Sequence, residues 1–447
     1  MDQRLQAPEP YGDFVVDNRT VLAIAVPMTL AYLTTPMIGL VSTGVVGQMG
    51  DAALLGGLAA GSIILDIVFS TFNFLRSGTT GLVAQAFGRR DPPEERAVLL
   101  RALAVSLAIG IVLAVLAPLV SFVGGRFMAA EPRVLEAMDV YVRIRLIGAP
   151  FSLMNYAILG YVLGRGEGRL GLILQVVLNG ANIGLAIILG LQLGWGVSGV
   201  AWGAVGGELI GFVAGVAVLA RRFGRSAWPS RQRVFDTTAM LSMMTLNRDI
   251  MIRSFVLLAA FALYTRQGAQ FGTLTLAANA VLLNFFLVGG YFLDGFASAA
   301  EQLAGRAVGA GSGRAFRKAI SITTLWGFVL AGVASALFLI FGNELIAVIT
   351  SAEDVRAEAI RYAPWAALTA VSGVLAFQMD GVFIGATWSR EMRNMMFVSF
   401  VAYLIALYAL TPVFGNAGLW AAIHVFLLVR GLTLLARLPV KAREAFS

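Results

Sequence analysis

The chain has 447 residues, of which 58% are hydrophobic and only 13% are charged, and its formal net charge is +8. So few polar side chains cannot cover the surface of a soluble protein of this size, which excludes an ordinary soluble domain. The sequence has no cysteine and a single histidine, His424, which excludes disulfides, a cysteine nucleophile and a histidine or thiolate metal site.

Apolar runs of about 20 residues recur along the chain, and each is long enough as a helix to cross a hydrocarbon core of roughly 30 Å. They cover residues 20–43, 53–75, 97–121, 138–163, 169–193, 196–220, 241–265, 276–301, 319–341, 362–385, 394–413 and 417–438. The runs lack the alternation of a membrane β-barrel. The sequence therefore predicts an all-α polytopic membrane protein with about twelve transmembrane helices.

The first run begins near Thr20 and is full-length for a span, so we expect no cleavable signal peptide. It contains Pro27 and Pro36, and each proline removes a helix hydrogen bond and permits a kink. The two prolines are therefore candidates for a hinge.

Two acids lie near the middle of spans in the first half of the chain, Asp66 and Glu208. A desolvated carboxylate can exchange a proton near neutral pH, so either is a candidate for ion coupling. In the alternative, Asp66 pairs with Arg76 or with another residue of the same half of the chain, and Glu208 only bonds serine or asparagine neighbours. Arg76, Arg145 and Arg430 are embedded cations that need partners at such depth, either in structural or gate ion pairs or with an anionic ligand.

Residues 221–240 form a basic stretch with Gly224, Pro229 and Ser230, which is the composition of a linker. We expect an N-lobe at 1–220 with helices 1–6, this linker, and a C-lobe at 241–447 with helices 7–12. An internal repeat supports the division, because GLVAQAFG ending at Gly88 resembles QLAGRAVG ending at Gly309. The two six-helix lobes are then a parallel repeat related by a pseudo-two-fold axis along the membrane normal.

Three bursts of charge interrupt the apolar stretches of the second half, NRDIMIRS at 247–254, YFLDGFASAAEQLAG at 291–305 and DGVFIGATWSREMRN at 380–394. Charge at lipid depth is expensive and usually functional. The bursts therefore mark the second half as a place to look for an ion site.

Asp249, Asp294 and Asp380 are the ion-coupling candidates of these bursts, because converging carboxylates can hold Na⁺ or a shared proton. Glu301 lies near a basic loop and is expected in a gate pair. The alternative is structural ion pairing, for which the sequence offers these partners: Arg248 or Arg253 for Asp249, and Arg393 or Arg430 for Asp380.

Basic residues fall in alternate connections between the predicted spans, at 89–96, 165–169, 221–233, 306–318, 390–393 and from 437 to the end. The positive-inside rule then places both termini in the cytoplasm. This distribution accounts for the net charge without a nucleic-acid partner. We expect a monomer in a bacterial inner membrane.

Several segments resemble the multidrug and toxic compound extrusion (MATE) family, and in particular its DinF-like branch. The segments are AVPMTL, GLVSTGVVGQMG, FLRSGTTGLVAQAFG and YVRIRLIGAP, together with the three bursts. The resemblance implies two six-helix bundles around a V-shaped cavity, and a first helix that bends during transport. It also implies export of amphipathic, often cationic compounds against inward H⁺ or Na⁺ flow. Asp249 and Asp380 match positions at which some relatives bind Na⁺.

The chain departs from this family at two positions of the N-lobe. Many relatives carry an aspartate where this sequence has Ser42, and a second acid where it has Ala186, four residues after Asn182. We hypothesise that Asp66 or Glu208 replaces the missing titratable group. The expected cavity and hydrogen-bond network comprises Ser42, Asn179, Asn182, Arg76 and Arg253.

The predicted function is a cation-coupled secondary active antiporter, with H⁺ favoured over Na⁺, that exports cationic amphipathic compounds by alternating access. The alternatives are an exporter of organic anions and a lipid-linked oligosaccharide flippase of the wider superfamily. An enzyme is not expected, since the chain has no HExxH or GxGD motif. No cofactor or metal is expected besides the coupling ion, and the partners are a small organic substrate and the bilayer.

Overall fold

The computed structural model describes residues 14–224 and 228–447, and within these ranges the chain forms sixteen α-helices and no β-strand. The helices are α1 Asn18–Gly47, α2 Ala52–Thr71, α3 Phe74–Gly88, α4 Pro92–Val115, α5 Ala117–Met128, α6 Pro132–Ile147, α7 Ala149–Gly164, α8 Gly168–Leu185, α9 Gly196–Phe223, α10 Arg231–Val234, α11 Thr237–Ala269, α12 Thr273–Gly309, α13 Gly313–Ile349, α14 Glu353–Gly385, α15 Ser389–Phe414 and α16 Asn416–Phe446. A π-helical segment, Ala186–Gln192, continues α8.

All the predicted spans fall on helices. Among the described residues, 10 helical segments are long and apolar enough to cross a membrane, with α2 and α3 taken together, and the pair α6 and α7 raises the number to 11. Helix α11 contains the remaining predicted span, 241–265, and is not among those segments. The chain is an all-α polytopic membrane protein, as the sequence predicts.

Two irregularities were not visible in the hydropathy pattern. Helices α6 and α7 meet at a bend of 51°, where Gly148 ends α6 and Pro150, which has no N–H, stands in the first turn of α7. The π-helical segment begins at Ala186, and a Cβ on Gly203 of α9 would lie 2.5 Å from the Ala186 nitrogen. Close backbone packing by glycine therefore accompanies the change of helix type.

The described residues form two compact units. The N-unit consists of residues 30–83 and 91–244 without 225–227, and the C-unit of 14–29, 84–90 and 245–447. The C-unit thus includes two short segments that the predicted lobe boundaries assign to the first half of the chain. Each unit has its own apolar core, around Tyr161 and Phe223 in the N-unit and around Tyr264 and Trp420 in the C-unit.

Glycine contacts explain why residues 84–90 belong to the C-unit. A Cβ on Gly88 would lie 2.9 Å from the Ala310 nitrogen, and a Cβ on Gly309 would lie 2.8 Å from the Gln85 Cα. The two members of the sequence repeat therefore pack against each other through reciprocal backbone contacts. Reciprocal contact between equivalent residues is what a two-fold relation requires.

Candidate functional site

Asp380 of α14 lies between two arginines in the C-unit. Its Oδ2 accepts hydrogen bonds from Nη2 of Arg253, on α11, and from Nη2 of Arg430, on α16. The side chains of Asp380 and Arg430 are 7% and 3% exposed, and Asp294 of α12 interacts electrostatically with both arginines. Two acids and two arginines thus form a buried cluster with no net formal charge, which we call the C-cluster.

Asp249 of α11 has a separate set of partners. Its Oδ1 accepts from Nη1 of Arg393, on α15, at 2.8 Å and from Nη2 of Arg248 at 3.1 Å. The Ser389 hydroxyl lies 3.3 Å from its other oxygen. Of the two partners that the sequence offers for Asp249, the structure pairs it with Arg248, because Arg253 extends to Asp380 instead. Asp249 and Asp380 therefore bind different arginines.

Glu301 and His424 lie elsewhere in the C-unit. Glu301 is 3% exposed, and its backbone carbonyl faces Gly385 where α12 packs on α14. His424 Nε2 lies 3.0 Å from the Trp365 carbonyl and Nδ1 lies 2.9 Å from the Ser372 hydroxyl. The carbonyl can only accept, so Nε2 carries a proton and donates to it, and the Ser372 hydroxyl in turn donates to the Thr369 carbonyl at 3.2 Å.

Asp66 of α2 lies beside Arg145 of α6 in the N-unit. The charge of Arg145 acts on the Asp66 carboxylate, so the interacting cation is a residue of the same unit other than Arg76, which is one of the two possibilities that the sequence left open. The Arg145 guanidinium lies over the Phe69 ring at 5.5 Å from its centroid. Its Nε and Nη1 have no hydrogen-bond partner in the part of the chain that the structure describes. Asp66 itself is exposed at the surface of the protein.

Helix α7 brings a tyrosine and an asparagine to the same region. The charges of Glu208, Arg145, Arg76 and Asp66 all act on the side chain of Tyr156. The adjacent residue, Asn155, donates from Nδ2 to Oε2 of Glu208 at 3.0 Å and to the Glu208 backbone carbonyl at 2.8 Å. We call Asp66, Arg76, Arg145, Tyr156 and Glu208 the N-cluster.

The sequence analysis missed Tyr156 and Asn155. Both lie in the run FSLMNYAILGYV, in which a single asparagine and tyrosine look like ordinary residues of an apolar helix. A usable signal is the pair itself, since two adjacent hydrogen-bonding side chains in the middle of a span need polar partners.

Polar residues of α1 and α8 form a second group in the N-unit. Asn179 donates to the Thr34 hydroxyl at 2.6 Å and so joins α8 to α1. Asn182 and Ser42 are buried, and the amide oxygen of Asn182 has no hydrogen-bond partner among the described residues. These side chains can bind water or a hydroxyl-bearing ligand, but none of them titrates in the physiological range.

The two prolines lie inside α1, which continues as one helix from Asn18 to Gly47. The boundary between the compact units falls after Thr29, between Pro27 and Pro36. The hinge that the sequence suggests would therefore lie where the chain passes from the C-unit to the N-unit.

The N-cluster and the C-cluster differ in what they can do chemically. In the C-cluster, Asp380 is held by two guanidinium groups and is almost inaccessible. In the N-cluster, one acid is exposed and one arginine has two buried N–H groups without acceptors. Among the described residues, the N-cluster therefore has free hydrogen-bonding capacity on Arg145, whereas the Asp380 carboxylate of the C-cluster is already bound by two arginines. No group of three His, Cys or acidic side chains within residues 14–224 and 228–447 is arranged to hold a metal ion.

The comparisons of this chain with known proteins agree on one family. The MatE family model matches residues 27–188 and 250–409 of this chain. DNA damage-inducible protein F from Escherichia coli is 35% identical, covering 94% of this chain and 91% of that protein. The probable multidrug resistance protein NorM from Deinococcus radiodurans is 27% identical, covering 98% of both.

Solved structures show the same fold. A MOP superfamily transporter from Pyrococcus furiosus matches with a TM-score of 0.88 at 16% identity, covering 96% of this chain and 97% of that one. A multidrug resistance MATE family transporter solved in an outward-facing conformation matches with a TM-score of 0.82 at 18% identity, covering 96% of each chain.

Proposed function

The chain belongs to the MatE family, and on that premise we propose that it is a secondary active exporter of amphipathic organic cations that works by alternating access and is driven by inward proton flow. The names of its relatives support export, since NorM from Deinococcus radiodurans is described as a probable multidrug resistance protein. Carriers of this kind bind and release their substrate without altering it, so the proposal includes no enzymatic step.

The choice of a cationic substrate rests on one observation, which is the charge balance of the N-cluster. With Asp66 and Glu208 ionised, two acids and two arginines have no net charge. One bound proton makes the cluster +1, which repels an organic cation and attracts an organic anion. An antiporter needs its proton and its substrate to exclude each other, and only a cationic substrate meets that condition at this cluster.

The arrangement of the C-unit favours H⁺ over Na⁺. The acids at the positions of the family Na⁺ site, Asp249 and Asp380, are each hydrogen-bonded to two arginines. Two adjacent guanidinium charges oppose the approach of a further cation, and they fill the carboxylate positions that Na⁺ would need. We infer that Asp380, Arg253 and Arg430 stabilise the C-unit, whereas Asp66 and Glu208 bind the coupling proton.

Export of an organic anion is the second candidate function. One observation favours it, since the Nε and Nη1 atoms of Arg145 are buried without acceptors among the described residues and an anionic substrate would supply an acceptor. Binding of a proton would then strengthen binding of the anionic substrate, so the proton and the substrate would favour each other's binding. We find no comparable observation in favour of a lipid-linked oligosaccharide flippase.

Transport by purified protein in liposomes tests this function. We expect ethidium to accumulate in liposomes with an acidic lumen, and not in liposomes that contain Na⁺ at equal internal and external pH. Asp66→Asn and Glu208→Gln should each reduce proton-driven accumulation at least about tenfold. Asp139→Asn is the matched control, because this acid pairs with Arg143 at the protein surface.

The outcomes separate the candidates. Full accumulation in both amide variants would overturn the role of the N-cluster, and accumulation driven only by Na⁺ would overturn proton coupling. Movement of a fluorescent organic anion without movement of ethidium would support the second candidate.

A further inference from the structure

A groove of the N-unit has no part in the proposed function and shares no residue with the N-cluster. Its volume is about 310 Å³, and its walls come from the start of α4, the short helix α10 and the start of α11. Leu100, Ala104, Val234 and Met240 line it, together with Arg101 and Arg231. The groove therefore combines an apolar surface with two arginines.

The two arginines of the groove differ in what they can bind. Arg101 is 4% exposed, and it donates from Nε to the Val234 carbonyl at 2.9 Å, from Nη1 to Glu94 and from Nη2 to the Arg233 carbonyl. It is therefore part of the wall and holds α10 against α4. Arg231 is exposed and makes no ion pair within the part of the chain that the structure describes. Arg231 is thus the cation that a ligand in this groove can reach.

The α4 wall of the groove lies inside a membrane span. Helix α4 is apolar enough to cross a membrane, and Leu100 and Ala104 belong to the apolar run 97–121 of the sequence. Leu107 and Ile111 follow on the same face of α4, at helical spacings, and both are exposed. An apolar stripe therefore leads from the groove along the helix, and the acyl chains of a bilayer are the surroundings that suit such a stripe.

The α10 wall has the composition of a membrane interface. Trp228 and Phe235 lie on either side of α10 and are 59% and 67% exposed. Tryptophan is enriched at the level of the lipid headgroups, where its ring meets both the apolar layer and water. Residues 221–236 also contain five arginines and one acid, and a basic segment next to a span attracts anionic lipids of the cytoplasmic leaflet.

We propose that this groove binds one anionic phospholipid of the cytoplasmic leaflet, with an acyl chain along α4 and the phosphate on the Arg231 guanidinium. A guanidinium can donate two parallel hydrogen bonds to a phosphate, which fixes the headgroup as well as attracting it. The same positive charge repels an organic cation, so the groove is not a second site for the proposed substrate.

Native mass spectrometry of the purified protein in a neutral detergent tests this site, because it separates protein with one bound lipid from protein with none. The measured quantity is the dissociation constant of the first lipid, for phosphatidylglycerol and for phosphatidylcholine with the same acyl chains. The wild type should bind phosphatidylglycerol about fivefold more tightly, which is the effect of one arginine near an anionic headgroup. Arg231→Gln should remove this difference, and Arg231→Lys should keep most of it.

A second variant tests the apolar part of the groove. Ala104→Phe places a ring where the acyl chain would lie, and it should weaken binding of both lipids at least about fourfold, the effect of excluding one methylene group. The matched controls are Ala262→Phe, at an exposed alanine of α11 in the C-unit, and Arg390→Gln, at an exposed arginine of α15. Neither control should change a dissociation constant.

Several outcomes would overturn the lipid site. They are equal dissociation constants for the two lipids in the wild type, and unchanged binding of phosphatidylglycerol in Arg231→Gln or in Ala104→Phe. An equal loss of binding in a control variant would show a general effect of changing the surface. Displacement of the lipid by inorganic phosphate would show that the groove takes a free anion instead. Each of these results concerns binding alone, so none of them depends on the coupling ion or the exported substrate.

Discussion

At the scale of single residues, Asp380 is the acid whose loss should damage stability most. Its removal leaves Arg253 and Arg430 buried without their shared carboxylate, and breaking a buried ion pair from one side costs about 3–5 kcal/mol. We expect Asp380→Asn to lower the thermal stability of the purified protein strongly, as measured by its unfolding temperature in detergent. Asp354→Asn, at an exposed acid in the first turn of α14, is the control.

A second substitution makes this prediction specific. Adding Arg430→Gln to Asp380→Asn removes one of the uncompensated charges, so the double variant should recover part of the lost stability. A stable Asp380→Asn protein that has lost transport would contradict this account, because it would make Asp380 a coupling acid rather than part of a structural cluster.

The sequence named most of the charged residues in both clusters, but it paired few of them. Asp66 and Glu208 stood out because carboxylates are rare inside apolar spans. Which arginine pairs with which acid depends on contacts between helices. The spacing of residues along one helix does not reveal those contacts. For this reason, the sequence offered Arg76 or an unspecified residue of the same half as the partner of Asp66, and only the structure points to Arg145.

At the scale of helices, the connection between α9 and α11 is attached to the N-unit. Arg101, buried in α4, donates to the backbone carbonyl of Val234 at 2.9 Å and to Glu94 at 2.8 Å. Arg233 binds both Glu94 and Asp91, and its hydrogen bond to the Glu94 carboxylate raises the pKa of Arg233. Glu94 thus joins the short helix α10 to the start of α4.

Removal of this acid should release the connection. We expect Glu94→Gln to increase tryptic cleavage after Arg231 about fivefold, which corresponds to about 1 kcal/mol of lost ion pairing at a partly exposed site. Digestion of protein in liposomes, followed by mass spectrometry, measures the rate. Glu131→Gln is the matched control, since that side chain makes no capping hydrogen bond. Equal rates in Glu94→Gln and the wild type would contradict the attachment.

The sequence predicted helices far better than it predicted their breaks. Twelve apolar runs marked the spans because length and composition are sufficient for that purpose. The bend between α6 and α7 and the π-helical segment at Ala186–Gln192 depend on glycines and a proline whose effects come from packing against other helices. Hydropathy does not carry that information.

At the scale of the whole molecule, the internal repeat is the feature that sequence and structure share most clearly. Gly88 and Gly309, which end the two repeated motifs, face each other's helix. The family model also matches two separate stretches of the chain. Charge is not repeated in the same way, since the N-cluster contains an exposed acid, Asp66, whereas Asp380 of the C-cluster is enclosed. Under the proposed function, one half therefore holds the proton site and the other a structural cluster.

Orientation in the membrane is the property of the whole molecule that charge distribution predicts. Because the natural chain has no cysteine, single cysteines can be introduced at exposed positions on either predicted side. We expect Ser447→Cys to be labelled by a membrane-impermeant maleimide only after intact bacterial cells are opened. Gln270→Cys and Ser351→Cys, in the connections after α11 and α13, should be labelled in intact cells. The reverse pattern would place the basic connections outside the cell and contradict the positive-inside assignment.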